Sequence, residues 1–249
     1  MSMRFQDKTV ILTGAASGIA LLCAQGYAEE GGRVCMVDIN QEGVNAAAAG
    51  ICERGGTAVG VKADIRDYAQ VKAAVALAVE KFGRIDIMVN CAGGASSRVM
   101  GYVGVPYHEL PVEVIDWGLD VNLKGAVYFC HAVLGHMVKQ KSGVFINLGS
   151  VDGVTGSACL DYGAAKSGMI GLTKSLTVVG SPHGIRACCV SPGPVLTRPE
   201  MARMKTRLGR AAETQEIVDL ILYLSSEQAA FITGANYVID GGRSCGGAA

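Results

Sequence analysis

Short apolar runs rich in β-branched residues alternate along this chain with longer segments whose apolar positions recur at helical spacing. That alternation predicts βαβ units and a parallel sheet. Residues 9–12 read as a first strand, and a glycine-punctuated turn leads into a helix over 19–30, stopped by Gly31-Gly32. A second strand at 34–37 closes on Asp38, a helix over 41–54 ends at Gly55-Gly56, and a third strand at 57–61 runs toward Asp64. Next come a helix over 67–82 and a strand at 85–89 that opens into Asn90-Cys91-Ala92-Gly93. An irregular stretch with Gly101, Gly104 and Pro106 precedes a helix over 112–139 and a fifth strand at 144–148. A helix over 162–179, a strand at 185–190 stopped by Ser191-Pro192-Gly193-Pro194, a helix over 216–225 and a strand at 235–239 complete the pattern. No repeat, linker or charge block divides it, so one domain over 1–249 is expected.

Composition narrows the function classes. Half of the 249 residues are hydrophobic and 18% are charged, which favours a sizeable buried core over disorder. Lysine plus arginine equals aspartate plus glutamate at 22 each, so there is no electrostatic footprint for nucleic acid or an anionic membrane. No apolar run approaches the roughly 18 residues that span a bilayer. The polar start, Met1 to Lys8, does not read as a signal peptide. Nine scattered cysteines without a Cys-x-x-Cys pair fit reduced core thiols in a cytoplasmic protein. His131 and His136 are five apart and would not share a helix face, and the four histidines show no metal-ligand spacing; no metal site is expected.

The candidate chemistry sits after the fifth strand. Tyr162 and Lys166, four apart on a helix, stack on one face, and an ammonium beside a phenol lowers a pKa that is ordinarily about 10. Ser150 ends the fifth strand and points its hydroxyl at the carboxyl edge of the sheet, where ligands of open α/β folds bind. Gly14, Ser17, Gly18 and Ile19 lie between the first strand and its helix, where glycines let backbone N–H groups and a helix N-terminus meet a pyrophosphate. Asp38, twenty residues beyond Gly18, can accept both hydroxyls of an adenosine ribose and would repel a 2′-phosphate. Ser17 and Ile39 add no positive charge there, so NAD is favoured over NADP. Asp64, with Ile65, is placed to meet the adenine.

Thr13-Gly14-x-x-x-Gly18-Ile19, Asp64, Asn90-Cys91-Ala92-Gly93, Asn122, Ser150, Tyr162-x-x-x-Lys166, Pro192-Gly193-x-Val195-x-Thr197, Thr233-Gly234 and Asp240-Gly241-Gly242 occur together and in order. With them the chain resembles the short-chain dehydrogenase/reductase family over nearly its whole length. The resemblance implies a Rossmann-type, doubly wound parallel sheet of about seven strands flanked by helices. It assigns Tyr162 as general acid/base, Lys166 to the tyrosine and the nicotinamide ribose, Ser150 to the substrate oxygen, and Asn122 to a water in a proton relay. Asn90, Ala92, Gly93, Pro192, Gly193, Val195 and Thr197 inherit cofactor contacts. Two departures stand out. Ala20 replaces the family's third loop glycine, where a methyl group could cost on the order of 1–3 kcal/mol if nothing adjusts; Cys91 stands where asparagine or alanine is usual, and is expected only to pack.

After Thr197 the substrate lid, near 198–210, is short and basic, with Arg198, Arg203, Lys205 and Arg207 against Glu200. Asp152 and Asp161 could meet hydroxyl groups. The expected reaction is oxidation of a secondary alcohol, such as a polyol or sugar derivative, on a small-molecule substrate. A 3-oxoacyl or steroid-type ketone reductase is the alternative within the enzymes, and a non-catalytic dinucleotide sensor the alternative outside them. The apolar helices over 112–139 and 162–179 are expected to pair in a homodimer or homotetramer.

Overall fold

Seven β-strands lie side by side, all parallel, in the order β3-β2-β1-β4-β5-β6-β7. The computed structural model describes residues 3–246; positions 1–2, part of the polar start, and 247–249 lie outside the described residues. The strands are β1 (Thr9–Thr13), β2 (Arg33–Asp38), β3 (Thr57–Lys62), β4 (Ile87–Asn90), β5 (Gly143–Leu148), β6 (Ile185–Pro192) and β7 (Asn236–Ile239). The helices are α1 (Gly18–Glu29), α2 (Gln41–Glu53), α3 (Tyr68–Phe82), α4 (Ser96–Val99), α5 (Val112–Leu119), α6 (Gly125–Gln140), α7 (Asp152–Thr155), α8 (Leu160–Gly180) and α9 (Thr214–Ser225).

Successive strand residues face opposite sides, so each strand feeds two cores. Val10 and Leu12 pack with α1, α2 and α9 on one face, through Cys23, Val44 and Ile221. Ile11 and Phe145 pack on the other face with Val71 of α3, Phe129 of α6 and Leu176 of α8. Burial on both faces explains why the strands read as continuous apolar runs rather than as alternating ones. Between β1 and β4 the strand order reverses, and the crevice beyond their carboxyl ends is where such a sheet holds ligands.

The Rossmann-type sheet matches the expectation, with informative differences at its edges. Residue 85 is not in β4, because the Gln140 side chain takes both its N–H and its C=O. β6 extends through Pro192, a strand terminus at which the missing proline donor is not needed. α9 starts two residues before the expected 216, capped by Glu213 and Glu216, whose side chains each accept the other's backbone N–H. The helix expected over 112–139 is two helices, α5 and α6, joined through a π-helical turn at Asp120–Lys124. The span between Ser150 and Tyr162 folds one further short helix, α7, against α8. Gly153 permits this, since a Cβ there would lie 2.5 Å from the Lys166 carbonyl carbon.

Candidate active site

A cavity of about 780 Å³ runs along the carboxyl edge of the sheet from the β1–α1 loop to the segment after Thr197. Its end at the β1–α1 loop is shaped by glycine. Gly14 has φ +71°, and a Cβ on it would fall 2.9 Å from the Ala92 Cα, so both backbone conformation and space require glycine. Thr13 holds the two loops at that distance: its hydroxyl accepts the N–H groups of Cys91 and Ala92, each at 3.1 Å. Ser17, Gly18, Ile19 and Ala20 present the first turn of α1, with its free N–H groups, to the cavity. Ala20 itself is buried among the residues of the α1 core, so its methyl is accommodated in place of the third glycine.

Asp38 ends β2 at the same wall. One carboxylate oxygen accepts the Ala16 N–H at 3.0 Å and the other the Asn40 N–H at 2.9 Å, which leaves lone pairs on both facing outward. Asp64 and Ile65 also line the wall, but the Asp64 carboxylate is held by Arg66 through contacts of 2.6 to 3.0 Å. That hydrogen-bonded ion pair pulls Asp64 below the ordinary carboxylate range. It also pairs the charge of Arg66, which lines the same cavity. Farther along, Gly193 packs on the Asp240 backbone, where a Cβ would lie 2.8 Å from the Asp240 Cα. Pro192, Val195 and Thr197 follow it along the wall.

At the chemical end, β5 delivers Ser150 and α8 delivers Tyr162 in its first turn. Ser150 is fixed by its neighbours: the Gly149 N–H donates to Val190 O and the Val151 N–H to Pro192 O, tying the strand end to β6. Its Oγ accepts the Asp152 N–H at 3.2 Å. Lys166 is 4% exposed, and its Nζ donates to the Leu148 carbonyl at 2.8 Å, 5.6 Å from the Tyr162 ring centroid. Burial pulls the ammonium down to about 8, against small upward effects of the Cys91 and Cys189 thiols. The expectation that Lys166 depresses the Tyr162 pKa is not met: the phenol is raised, and Lys166 is not among the groups that shift it. Burial pushes the phenol up; the Ser150 hydroxyl pulls it down, Asp152 raises it again, and Arg198 lowers it.

Two expected site residues stand behind the cavity wall rather than on it. Asn122, 1% exposed in the π-helical turn, clamps the β4–α4 loop: its Nδ2 donates to Gly94 O and Gly118 O and its Oδ1 accepts the Gly94 N–H, all at 2.9 Å. Asn90 turns away from the cavity, donating to Asn147 Oδ1 at 2.8 Å. Asn147 in turn donates to Thr173 on α8 at 2.9 Å, so a buried polar ladder links β4, β5 and α8. Asp161 is buried too, with Oδ2 unpartnered beneath Gly118, and does not line the cavity. Asp152 does.

Sequence reasoning missed Arg98, Val99, Trp117, Met201 and Met204, which enclose the cavity beyond Tyr162, and assigned Cys91, which lines it, to packing alone. Arg98 lies in a stretch without periodicity, so nothing marked it. Trp117, the single tryptophan, was a signal available and unused. Among the described residues no group of three metal-ligating side chains could hold a metal ion, and no helix is long and apolar enough to cross a membrane.

Comparison with known proteins places this geometry. The family profile described as enoyl-(acyl carrier protein) reductase matches residues 14–244. D-threitol dehydrogenase of Mycolicibacterium smegmatis is 36% identical, over 96% of this chain and 94% of that protein. Trans-4-hydroxycyclohexanecarboxylate dehydrogenase of Sinomonas cyclohexanicum is also 36% identical, over 99% and 96%. The 3-oxoacyl-(acyl-carrier-protein) reductase FabG of Thermotoga maritima is 32% identical, over 96% and 99%. The crystal structure of levodione reductase superposes with a TM-score of 0.90 at 30% identity, covering 98% of this chain and 100% of that one.

Proposed function

This chain belongs to the short-chain dehydrogenase/reductase family of oxidoreductases, which use a nicotinamide dinucleotide, and we propose that it interconverts a secondary alcohol and its ketone with NAD. The observation that carries the proposal is the convergence of Ser150, Tyr162 and Lys166 on one cavity whose other end is formed by the Gly14–Gly18 loop and Asp38. The residues fit a dinucleotide: the N–H groups of the first α1 turn would hold its diphosphate, and Asp38 would accept from a ribose. Asp38 favours NAD, because a 2′-phosphate would meet its charge without a free cation beside it.

A bound oxidised dinucleotide would supply the acceptor for the hydride of the carbinol carbon. The Tyr162 phenolate takes the hydroxyl proton as the C–O bond becomes a carbonyl, and returns it in the reverse direction. Ser150 donates a hydrogen bond to the same oxygen and holds it in place. Lys166, anchored on the Leu148 carbonyl, keeps a positive charge next to the phenol and within reach of the ribose. Asn122 acts behind them by setting the Gly93–Gly94 backbone against Lys166. The segment 198–210, with a short helical turn at Pro199–Arg203, covers the substrate end as a lid.

The test is turnover of D-threitol, other secondary alcohols and 3-oxoacyl thioesters with NAD and NADP in parallel. NAD-linked alcohol oxidation that disappears in Tyr162→Phe is expected. A clear NADP preference sinks the reading of Asp38, and preferential reduction of 3-oxoacyl thioesters moves the enzyme to that reductase class. Dinucleotide binding with no turnover at all points to a sensor.

Exposed Val112, Leu119, Val127, Leu160, Val178 and Val179 on α5, α6 and α8 support a homo-oligomer, and a monomer in light scattering would refute it. All nine cysteines are unpaired, which supports a reducing compartment such as the cytoplasm.

A further inference from the structure

The substrate end of the cavity holds two arginines that the hydride-transfer site does not use. Arg98, on α4, and Arg198, directly after Thr197, line the same cavity as Ser150 and Tyr162. They come from segments one hundred residues apart and stand close enough that the charge of Arg198 depresses the pKa of Arg98, after the larger effect of burial. Arg198 also lowers the Tyr162 pKa, and both arginines line the cavity while remaining solvent-exposed.

Neither side chain has a carboxylate partner among the described residues. Arg4, Arg33, Arg66, Arg84 and Arg210 are each bridged to an acid. The hydrogen bond found for Arg198 goes to the Met201 sulfur at 3.2 Å, a weak acceptor, and Arg98 has none. Glu200 raises the Arg98 pKa slightly but, unlike the two arginines, does not line the cavity. Asp152, the acid that does line this end, is engaged by the Ser157 hydroxyl at 3.2 Å. Two like charges drawn together in a cleft repel each other, and a dianion-accepting or carboxylate-accepting fork is what relieves that repulsion. The chain as a whole has no net charge, so this local concentration is not a by-product of a basic protein.

We propose that Arg98 and Arg198 form a carboxylate clamp, and that the substrate is a hydroxy acid or keto acid. The reacting oxygen lies at Ser150 and Tyr162, the carboxylate lies between the two guanidiniums, and the apolar body that joins them packs on Val99, Trp117, Met201 and Met204. This rests on the alcohol–ketone reading above. Both arginines are specificity-determining; neither takes part in proton or hydride transfer.

The experiment compares 4-hydroxycyclohexanecarboxylate with its methyl ester and with cyclohexanol, in wild type, Arg98→Gln, Arg198→Gln, Arg98→Lys and Glu200→Gln. Wild type should prefer the acid to the ester by tenfold or more in kcat/KM. Each Arg→Gln change should raise KM for the acid by at least tenfold and cost the ester and cyclohexanol much less, with partial recovery in Arg98→Lys. Equal losses on acid and ester would overturn the clamp, and would place the arginines on the dinucleotide if the KM for NAD rose with them. Loss of the acid preference in Glu200→Gln would also overturn it.

A binding measurement keeps the two proposals separable. Trp117 is the only tryptophan and lines the cavity, so its emission reports occupancy without turnover. Cyclohexanecarboxylate titrated into the NADH-bound protein should bind at least tenfold more weakly in either Arg→Gln variant, whereas the neutral amide should not discriminate them. Alcohol turnover without this discrimination defeats the clamp alone. Discrimination without turnover of any alcohol supports the clamp and defeats the hydride-transfer reading.

Discussion

Replacing Asn122 by alanine tests how the site is held together. Its amide makes three hydrogen bonds of 2.9 Å, two to Gly94 and one to Gly118 O, and it is 1% exposed. A net contribution of about 1 kcal/mol per bond gives about 3 kcal/mol. Gly94 is only half-buried, so water can re-enter there, and alanine gains roughly half a kcal/mol of helix propensity over asparagine. The expected loss is therefore about 2–3 kcal/mol, read as a lower urea midpoint with an unchanged slope. Asn122→Asp should be worse, since a carboxylate cannot donate to the two carbonyls and would face them with its charge. Because Gly94 adjoins Gly93, and Gly93 abuts Lys166, kcat should fall at least tenfold in protein that remains folded. A stability change below about 0.5 kcal/mol, together with kcat within twofold of wild type, would refute the view of Asn122 as the clamp of this loop.

Three further outcomes follow from the same geometry. Gly93→Ala should lower activity sharply, as a Cβ would lie 2.5 Å from Asn122 Oδ1 and 3.3 Å from Lys166 Nζ; a variant with unchanged kcat and Tm would contradict the tightness of that approach. For Lys166, the folded pKa of about 8 lies below the ordinary 10.5, so the folded protein gains stability as pH rises through that window and carries the full burial penalty below it. Lys166→Met should accordingly lose its stability advantage over wild type by on the order of 2–3 kcal/mol between pH 8 and 10.5 in urea titrations without cofactor, and a difference independent of pH would rule this out. Asp86, 4% exposed, accepts the Thr9 N–H and bonds from Nε and Nη2 of Arg84, so Asp86→Ala should cost about 2–4 kcal/mol of stability while leaving KM for NAD within twofold.

The sheet and most of the cofactor wall were legible from the sequence because their determinants are local. Val34–Val37 can only be a buried strand, and a strand followed by glycines and a helix places Gly14 and Gly18 without reference to the rest of the chain. Ser150, Tyr162 and Lys166 were legible for the same reason, each lying at a strand end or at a fixed helical offset. The break between α5 and α6 was not, since Asp120–Lys124 preserves helical periodicity while the backbone widens by one residue. Asn90 and Asn122 were named for the site by resemblance, but which way each side chain turns depends on partners distant in sequence, Asn147 for Asn90 and Gly94 for Asn122. Arg98 and Trp117 depend wholly on tertiary placement.

The Asn90–Asn147–Thr173 ladder sets the two sides of the cavity on different clocks. Bonds that cross from sheet to α8, with Lys166 anchored on Leu148, tie that wall to the core, so that opening it requires breaking buried hydrogen bonds. The opposite side, from Arg198 to Arg210, has mostly exposed side chains and short helical turns. Displacement of that side would leave the bonds between the sheet and α8 intact.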